Sequence, residues 1–471
     1  SGMPGNLAAT LEAAARHAPG KEVVIHGDSA LCWKELDARA SAVAAALAGR
    51  GVAAGDRVAL AFDDPVRLTI ALLGALKAGA AVTPLNPRLA EDENSAILAA
   101  LDAKLVLREI GQSGPEDATF EARPVADADP AFILFTSGST GVPKGVMLSH
   151  GATHKALEHW CGPILDLSAQ DVVLSTLPPA HSLGIFGTIL APLLAGAAVV
   201  FLARFSAKDA MAAIERHGVT VYPGVATMFQ LIVDSPALRE TDLSTLRYAA
   251  SGAAPCSWEL AEQWRQATGT RIIRGYGMTE LFRPISYSAL DERDVPDAIG
   301  RAVADVRLRI VDSNGDDLPG GEVGELWINS PARMTAYLGE EEQTEAVLAA
   351  GWFKTGDLAS IDGEGLVRIE GRLKDIILRG GYSIAAGSIE QVLLSHPEIA
   401  EAAVIGVPHR ELGEEIAAYI ALRPGAGATA ETIIDYCKQH LANFKYPREV
   451  HLLDELPKGP TGKILKAKLR T

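Results

Sequence analysis

Thr136-Ser-Gly-Ser-Thr-Gly-Val-Pro-Lys144-Gly145 packs hydroxyls, glycines and one cation into a single turn. Gly138, Gly141 and Gly145 let backbone N–H groups approach a ligand closely. Thr136, Ser137, Ser139 and Thr140 add hydroxyl donors, and Lys144 adds a positive charge. That combination suits a nucleotide polyphosphate. It is not a Walker loop, because Pro143 precedes the lysine and no Gly-Lys-Ser/Thr ending is present. A second constellation, Gly275-Tyr-Gly-Met-Thr-Glu280, combines a ring that can stack on a base (Tyr276), a hydroxyl for a phosphate oxygen (Thr279) and a hard carboxylate suited to Mg²⁺ bound to ATP (Glu280). Its plain alternative is a strand end followed by a helix N-terminus, with Thr279 and Glu280 as caps. A third, Gly351-Trp-Phe-Lys-Thr-Gly-Asp357, ends on a carboxylate able to accept from ribose hydroxyls.

The elements that must position these groups alternate between strand and helix. Phe132–Phe135 reads as a buried strand feeding the first loop. Leu31–Ala48 reads as a helix stopped by Gly49 and Gly51, then come strand Arg57–Ala61, helix Pro65–Ala78 and strand Ala80–Pro84. Such alternation predicts an α/β fold of mostly parallel sheets covered by helices. A smaller α+β unit follows: helix Ser388–Ser395, strands Ala402–Val407 and Ile416–Leu422, and helix Glu431–Leu441. The expected division is 3–373 and 374–471, ordinary sizes for a chain of 471 residues.

Bulk properties narrow the partners. A net charge of −16 disfavours nucleic acid and anionic membrane. Four scattered cysteines without a C-x-x-C pair read as reduced thiols in a cytoplasmic protein, and no signal segment follows Met3. Leu183 to Ala203 carries one uncharged run until Arg204, but Pro192, Gly196 and Val199-Val-Phe-Leu202 divide it into a buried helix, a turn and a strand rather than a transmembrane segment.

These motifs, in their order along nearly the whole chain, resemble the adenylate-forming superfamily of acyl-CoA synthetases, aryl-CoA ligases, luciferases and peptide-synthetase adenylation domains. The resemblance implies activation of a carboxylic acid by ATP and Mg²⁺ to acyl-AMP with release of pyrophosphate, then transfer to coenzyme A. It implies that Lys463, in Leu456-Pro-Lys-Gly-Pro-Thr-Gly-Lys463, is the catalytic cation, and that His181 lines the pocket near the reacting carboxylate. Gly252 and Ala253, in the turn Ala250–Pro255, would border adenine and the acyl chain, with Gly275, Tyr276 and Gly277 beside the base. Asp357 would hold the ribose, Arg372 would add a second ribose or phosphate contact, Lys374 would be a hinge, and Gly380 and Gly381 would border the thiol channel. Arg333–Gly339 reads as scaffold.

Phe186, Tyr222, Gly224 and Met228 suggest an apolar substrate pocket favouring a fatty or aromatic acid, to which Arg283 would add a contact for a second carboxylate or a polar tail, its plain alternative being a surface arginine. Amino-acid-activating members carry an aspartate near His181. Between Val172 and Pro192 this chain has no carboxylate, which argues against a substrate ammonium. Ser383, Ala385, Ala386 and Ser388 depart from the family's usual Asn and aromatic-Pro-x-Glu run, so a carrier-protein phosphopantetheine thiol stays open as the alternative acceptor. A nucleotide-binding scaffold without turnover is the rival from another class.

Overall fold

The computed structural model describes residues 5–87, 89, 91–111, 118–137, 143–253, 255–379, 382–459, 462 and 464–469. The chain divides into two compact units: residues 1–307 with 329–352, and residues 308–328 with 353–471. These cuts differ from the boundary expected near residue 374. The strands Gly324–Asn329, Trp352–Ile361 and Val367–Arg372 form one antiparallel sheet whose contacts run mainly toward the C-terminal residues.

The first unit holds two large sheets. One has seven strands in the order Arg271–Ile273, Tyr248–Ser251, Val221–Gly224, Val172–Ser175, Ala198–Phe201, Glu22–His26 and Ser29–Cys32. All neighbours are parallel except the last pair. The other has six strands: Ala336–Tyr337, Pro143–Ser149, Pro130–Ser137, Ala81–Pro84, Arg57–Leu60 and Leu105–Leu107. Strands such as Ala81–Pro84 and Ala198–Phe201 are buried at every residue, which is why they read as continuous apolar runs rather than alternating ones.

Helix Pro65–Lys77 shows how the sequence punctuates the fold. Asp64 accepts from the Arg67 N–H at 2.9 Å, proline occupies the first turn, and Gly79 at φ +77° turns the chain into the next strand. The helix expected from Leu31 begins instead at Trp33, because Ser29–Cys32 is drawn into antiparallel pairing with Glu22–His26. Residues 183–203 break as expected, into helical turns Leu183–Leu190 and Ala191–Leu194 and strand Ala198–Phe201. Among the described residues no helix is long and apolar enough to cross a membrane.

In the second unit, Tyr382–Ala385, Ile376–Arg379, Gly413–Leu422 and Ile399–His409 form an antiparallel sheet, with Glu449–Leu453 added parallel to Gly413–Leu422. Helices Ala386–Leu394 and Ala430–His440 cover it through Ile389, Leu393, Ile433 and Cys437.

Helix His150–His159 carries a buried titratable group that sets a pH limit. His150 is fully buried, and its Nδ1 accepts from the Leu7 N–H at 3.2 Å. Burial and the neighbouring His154 push its imidazole down to about 4, against a weaker upward pull from Asp129 and Asp127. The unfolded chain therefore takes up a proton near pH 6.5 that the native chain refuses until about 4. Its contribution to stability is complete above the unfolded pKa and is lost as pH falls through this window. Urea unfolding at pH 5 and 7.5 is expected to differ by roughly 2 kcal/mol through this residue. In His150→Gln that part of the difference should disappear.

Candidate functional site

The strands that flank the hydroxyl-rich loop pair with each other. Pro130–Ser137 runs antiparallel to Pro143–Ser149, with Thr136 opposite Lys144. Gly138, Ser139, Thr140 and Gly141 lie outside the described residues, so the hairpin arms define the site. A Cβ on Gly145 would lie 3.1 Å from both Ile133 and Phe135, a tight fit that either side chain would have to yield to by a few tenths of an ångström.

Beside Lys144 lies Tyr337, antiparallel to the outgoing arm and opposite Val146. The Lys144 Nζ sits 5.3 Å from the centre of its ring. The Tyr337 hydroxyl donates to Glu280 Oε1 at 2.8 Å. Burial and the Glu280 carboxylate push the phenol well above its ordinary range, so it remains a neutral donor. Folding thus unites a candidate phosphate cation and a candidate metal carboxylate through a residue that sequence reading had treated as scaffold. Its lone tyrosine in a short strand carries no sequence signal of that role.

Glu280 does not cap a helix. Gly275–Met278 turns directly into Phe282–Ser286, pairing antiparallel, and Thr279 and Glu280 occupy the turn. Gly277 permits this closeness: a Cβ there would fall 1.9 Å from the Phe282 carbonyl oxygen. Among the described residues no cluster of three or more His, Cys, Asp or Glu could cage a metal ion. A single carboxylate beside a phosphate cradle fits Mg²⁺, which keeps several waters and is commonly held by one or two carboxylates with substrate phosphates.

The other candidates of this unit gather at strand ends of the seven-stranded sheet. The Gly252 N–H donates to the Gly224 carbonyl at 3.1 Å, and a Cβ on Gly252 would meet Leu183 at 2.5 Å. Ala253 holds φ +61°, an uncommon backbone for a residue with a side chain. His181 enters the helical turn at Leu183: its N–H donates to Pro178 and its carbonyl accepts from Ile185 at 2.9 Å. Burial lowers its pKa, keeping the imidazole neutral near pH 7. Tyr222 is fully buried, its hydroxyl 3.4 Å from Thr176 Oγ1 and 3.7 Å from Met228 Sδ. Phe186 packs edge-on between Phe132 and Phe282.

Arg283 is buried, not a surface residue. Its guanidinium donates to the carbonyls of Ser251 and Ile273 and to Ser286 Oγ, lies over Trp160, and fills the space that a side chain at Gly275 would need. Burial pulls its pKa down to about 9. Arg274 pairs with Asp294 and the carbonyls of Val295 and Pro296.

In the second unit Asp357 and Arg372 face each other on paired strands, with Nε 3.1 Å from Oδ1. Lys374 is exposed in the single turn Leu373–Asp375. Gly380, Gly381 and Lys463 lie outside the described residues. The flanks of Lys463 are tied down: Lys458 pairs with Glu401 and bridges to Ile464, and Lys466 reaches Glu390 at 2.7 Å and Asp375 at 3.4 Å.

Comparison with known proteins follows the same outline. A model described as AMP-binding enzyme matches residues 11–338, and one described as AMP-binding enzyme C-terminal domain matches residues 388–463. The chain is 35% identical to a (methyl-dioxo-octahydroindenyl)propanoyl:CoA ligase of Mycobacterium tuberculosis, over 98% of each chain. It is 34% identical to a feruloyl-CoA synthase of Amycolatopsis, over 97% of this chain and 96% of that one. The crystal structure of ATP-bound MatB from Rhodopseudomonas palustris superposes with a TM-score of 0.92 at 30% identity, covering 99% of this chain and 98% of that one.

Proposed function

The chain belongs to the AMP-binding enzyme family, and from that premise we propose which of its residues carry the reaction. The activity is that of an AMP-forming acid–thiol ligase. A carboxylate oxygen attacks the α-phosphorus of ATP, the bond to the bridging oxygen breaks, and pyrophosphate leaves. The thiol of coenzyme A then attacks the acyl carbon of the mixed anhydride and AMP departs, with the thiol proton passing to solvent.

The observation that supports the assignment best is the meeting of Lys144 and Glu280 through Tyr337 at the base of the hydroxyl-rich hairpin. Lys144, with the loop hydroxyls, holds the departing pyrophosphate. Thr279 bonds a phosphate oxygen, and Glu280 would hold Mg²⁺, which supplies charge neutralisation on the phosphates when bound. Lys463 steadies the charge that develops between carboxylate and α-phosphate, which is the main catalytic demand of this chemistry. Tyr276, with Gly275 and Gly277, borders adenine, as do Gly252 and Ala253. Asp357 and Arg372 take the ribose. Lys374 serves as hinge for a C-terminal part beginning at residue 374, and Gly380 and Gly381 line the thiol path.

The acid is fatty or aromatic. Burial keeps His181 neutral, Phe186 and Tyr222 are buried, and the Tyr222 hydroxyl meets the Met228 thioether. Three of the contacts of Arg283 are taken by the protein's own oxygens, which favours a framing role over capture of a second substrate charge. Pyrophosphate release measured across aliphatic, aromatic and dicarboxylic acids tests the assignment. Acid-dependent release is expected with a monocarboxylic acid of apolar body. ATP left intact with every acid offered would remove the proposal. Coenzyme A and a carrier-protein thiol compared in the same thioester assay decide the acceptor, which is coenzyme A in this reading.

A further inference from the structure

We propose that Tyr337 is a positioning residue that keeps Lys144 and Glu280 from neutralising each other and presets both for MgATP. The inference rests on the assignment of Lys144 and Glu280 above and adds the device that makes them usable. An ammonium and a carboxylate brought to one side chain would ordinarily pair. Each would then have to be pulled from the other before it could serve a phosphate or a metal. Among the described residues no ion pair joins these two. Tyr337 engages both ends separately, with Lys144 on the face of its ring at 5.3 Å and Glu280 Oε1 on its hydroxyl at 2.8 Å. The ring face attracts the cation without cancelling its charge. The hydroxyl occupies one lone pair of the carboxylate, and so fixes its rotation while leaving the other oxygen for a cation.

The tyrosine is itself rigidly placed. It is 8% exposed and its N–H donates to Thr344 Oγ1 at 3.0 Å. The next residue, Leu338, donates to the Gly145 carbonyl at 2.8 Å, beside Lys144. Upstream, the Met334 N–H donates to the Glu280 carbonyl at 2.7 Å. Residues 334–338 therefore hold the hairpin and the Glu280 turn together through main chain as well as side chain. A change at the hydroxyl alone removes the charge-separating contact and leaves this framework standing.

The test is equilibrium binding of ATP by calorimetry, without acid substrate, in Mg²⁺ and in EDTA. Tyr337→Phe keeps the ring and loses the hydroxyl. It is expected to weaken binding in Mg²⁺ by roughly ten- to a hundredfold, the scale of one hydrogen bond to a charged group, and to weaken it less in EDTA, where only pairing of the freed carboxylate with Lys144 costs affinity. Tyr337→Leu also releases the ammonium and should weaken binding in both media. Combined with Glu280→Gln, the Phe substitution should add nothing, because its effect passes through that carboxylate. Equal loss in Mg²⁺ and EDTA for Tyr337→Phe, full additivity with Glu280→Gln, or parental binding in Tyr337→Phe while Glu280→Gln binds poorly would each overturn the inference. Parental MgATP binding in Glu280→Gln and Lys144→Met would instead defeat the underlying assignment. Thermal unfolding of each variant separates these outcomes from loss of fold.

Discussion

Lys463→Ala is expected to lose about 10²–10³-fold in acid-dependent ATP–pyrophosphate exchange, the usual cost of removing one contact aimed at developing charge. Thioester formation from supplied acyl-adenylate should continue at the parental rate, because Lys463 serves the attack on the α-phosphorus and not the attack of the thiol on the acyl carbon. The split matters more than the size. A substitution that merely loosened the C-terminal unit would slow both half-reactions. The choice of this lysine over its neighbours has a structural basis. Lys458 is committed to Glu401, and Lys466 to Glu390 and Asp375, so each would have to break an ion pair before serving a nucleotide. Lys458→Ala should accordingly keep most of the exchange activity. Full exchange in Lys463→Ala, or equal losses in both half-reactions, would take this residue out of the first step.

What the sequence made legible was local chemistry and order, not the contacts between distant segments. The hydroxyl-rich turn, the Gly275–Glu280 run and the apolar strands can be read because their signals lie within a few residues. Tyr337 cannot, since its role exists only once Ala336–Tyr337 pairs with the strand leaving the hairpin. The burial of Arg283 is illegible for a related reason. An arginine is ordinarily exposed, but here three oxygens and a tryptophan face from separate segments converge on it. The helix-cap alternative for Thr279 and Glu280 failed because Gly277 lets the chain double back within contact of Phe282, a closeness with no helix in it. The start of the first long helix slipped by two residues because strand pairing at Ser29–Cys32 outweighed helical periodicity.

Asp357→Asn should lower kcat/KM for ATP by about ten- to a hundredfold, the scale of one or two hydrogen bonds to a charged acceptor. The carboxylate is 5% exposed while Arg372 beside it is 40% exposed, so the acid lies beneath its partner at the strand pair. Thr355 fixes the approach: its hydroxyl accepts from the Asp357 N–H at 3.0 Å and donates to the Leu326 carbonyl at 2.7 Å. Gly356, at φ +67°, supplies the bend between them. Such anchoring is what a group needs in order to present acceptors to a diol without reorganising. It would equally suit a purely structural ion pair, so nucleotide discrimination is the decisive measurement. The parent enzyme should prefer ATP over 2′,3′-dideoxy-ATP by the same factor that Asp357→Asn loses with ATP. The variant should treat the two nucleotides nearly alike, because the acceptor that told them apart has lost its charge. If it still prefers ATP by the full parental factor, Asp357 supports the strand pair and the ribose is held elsewhere.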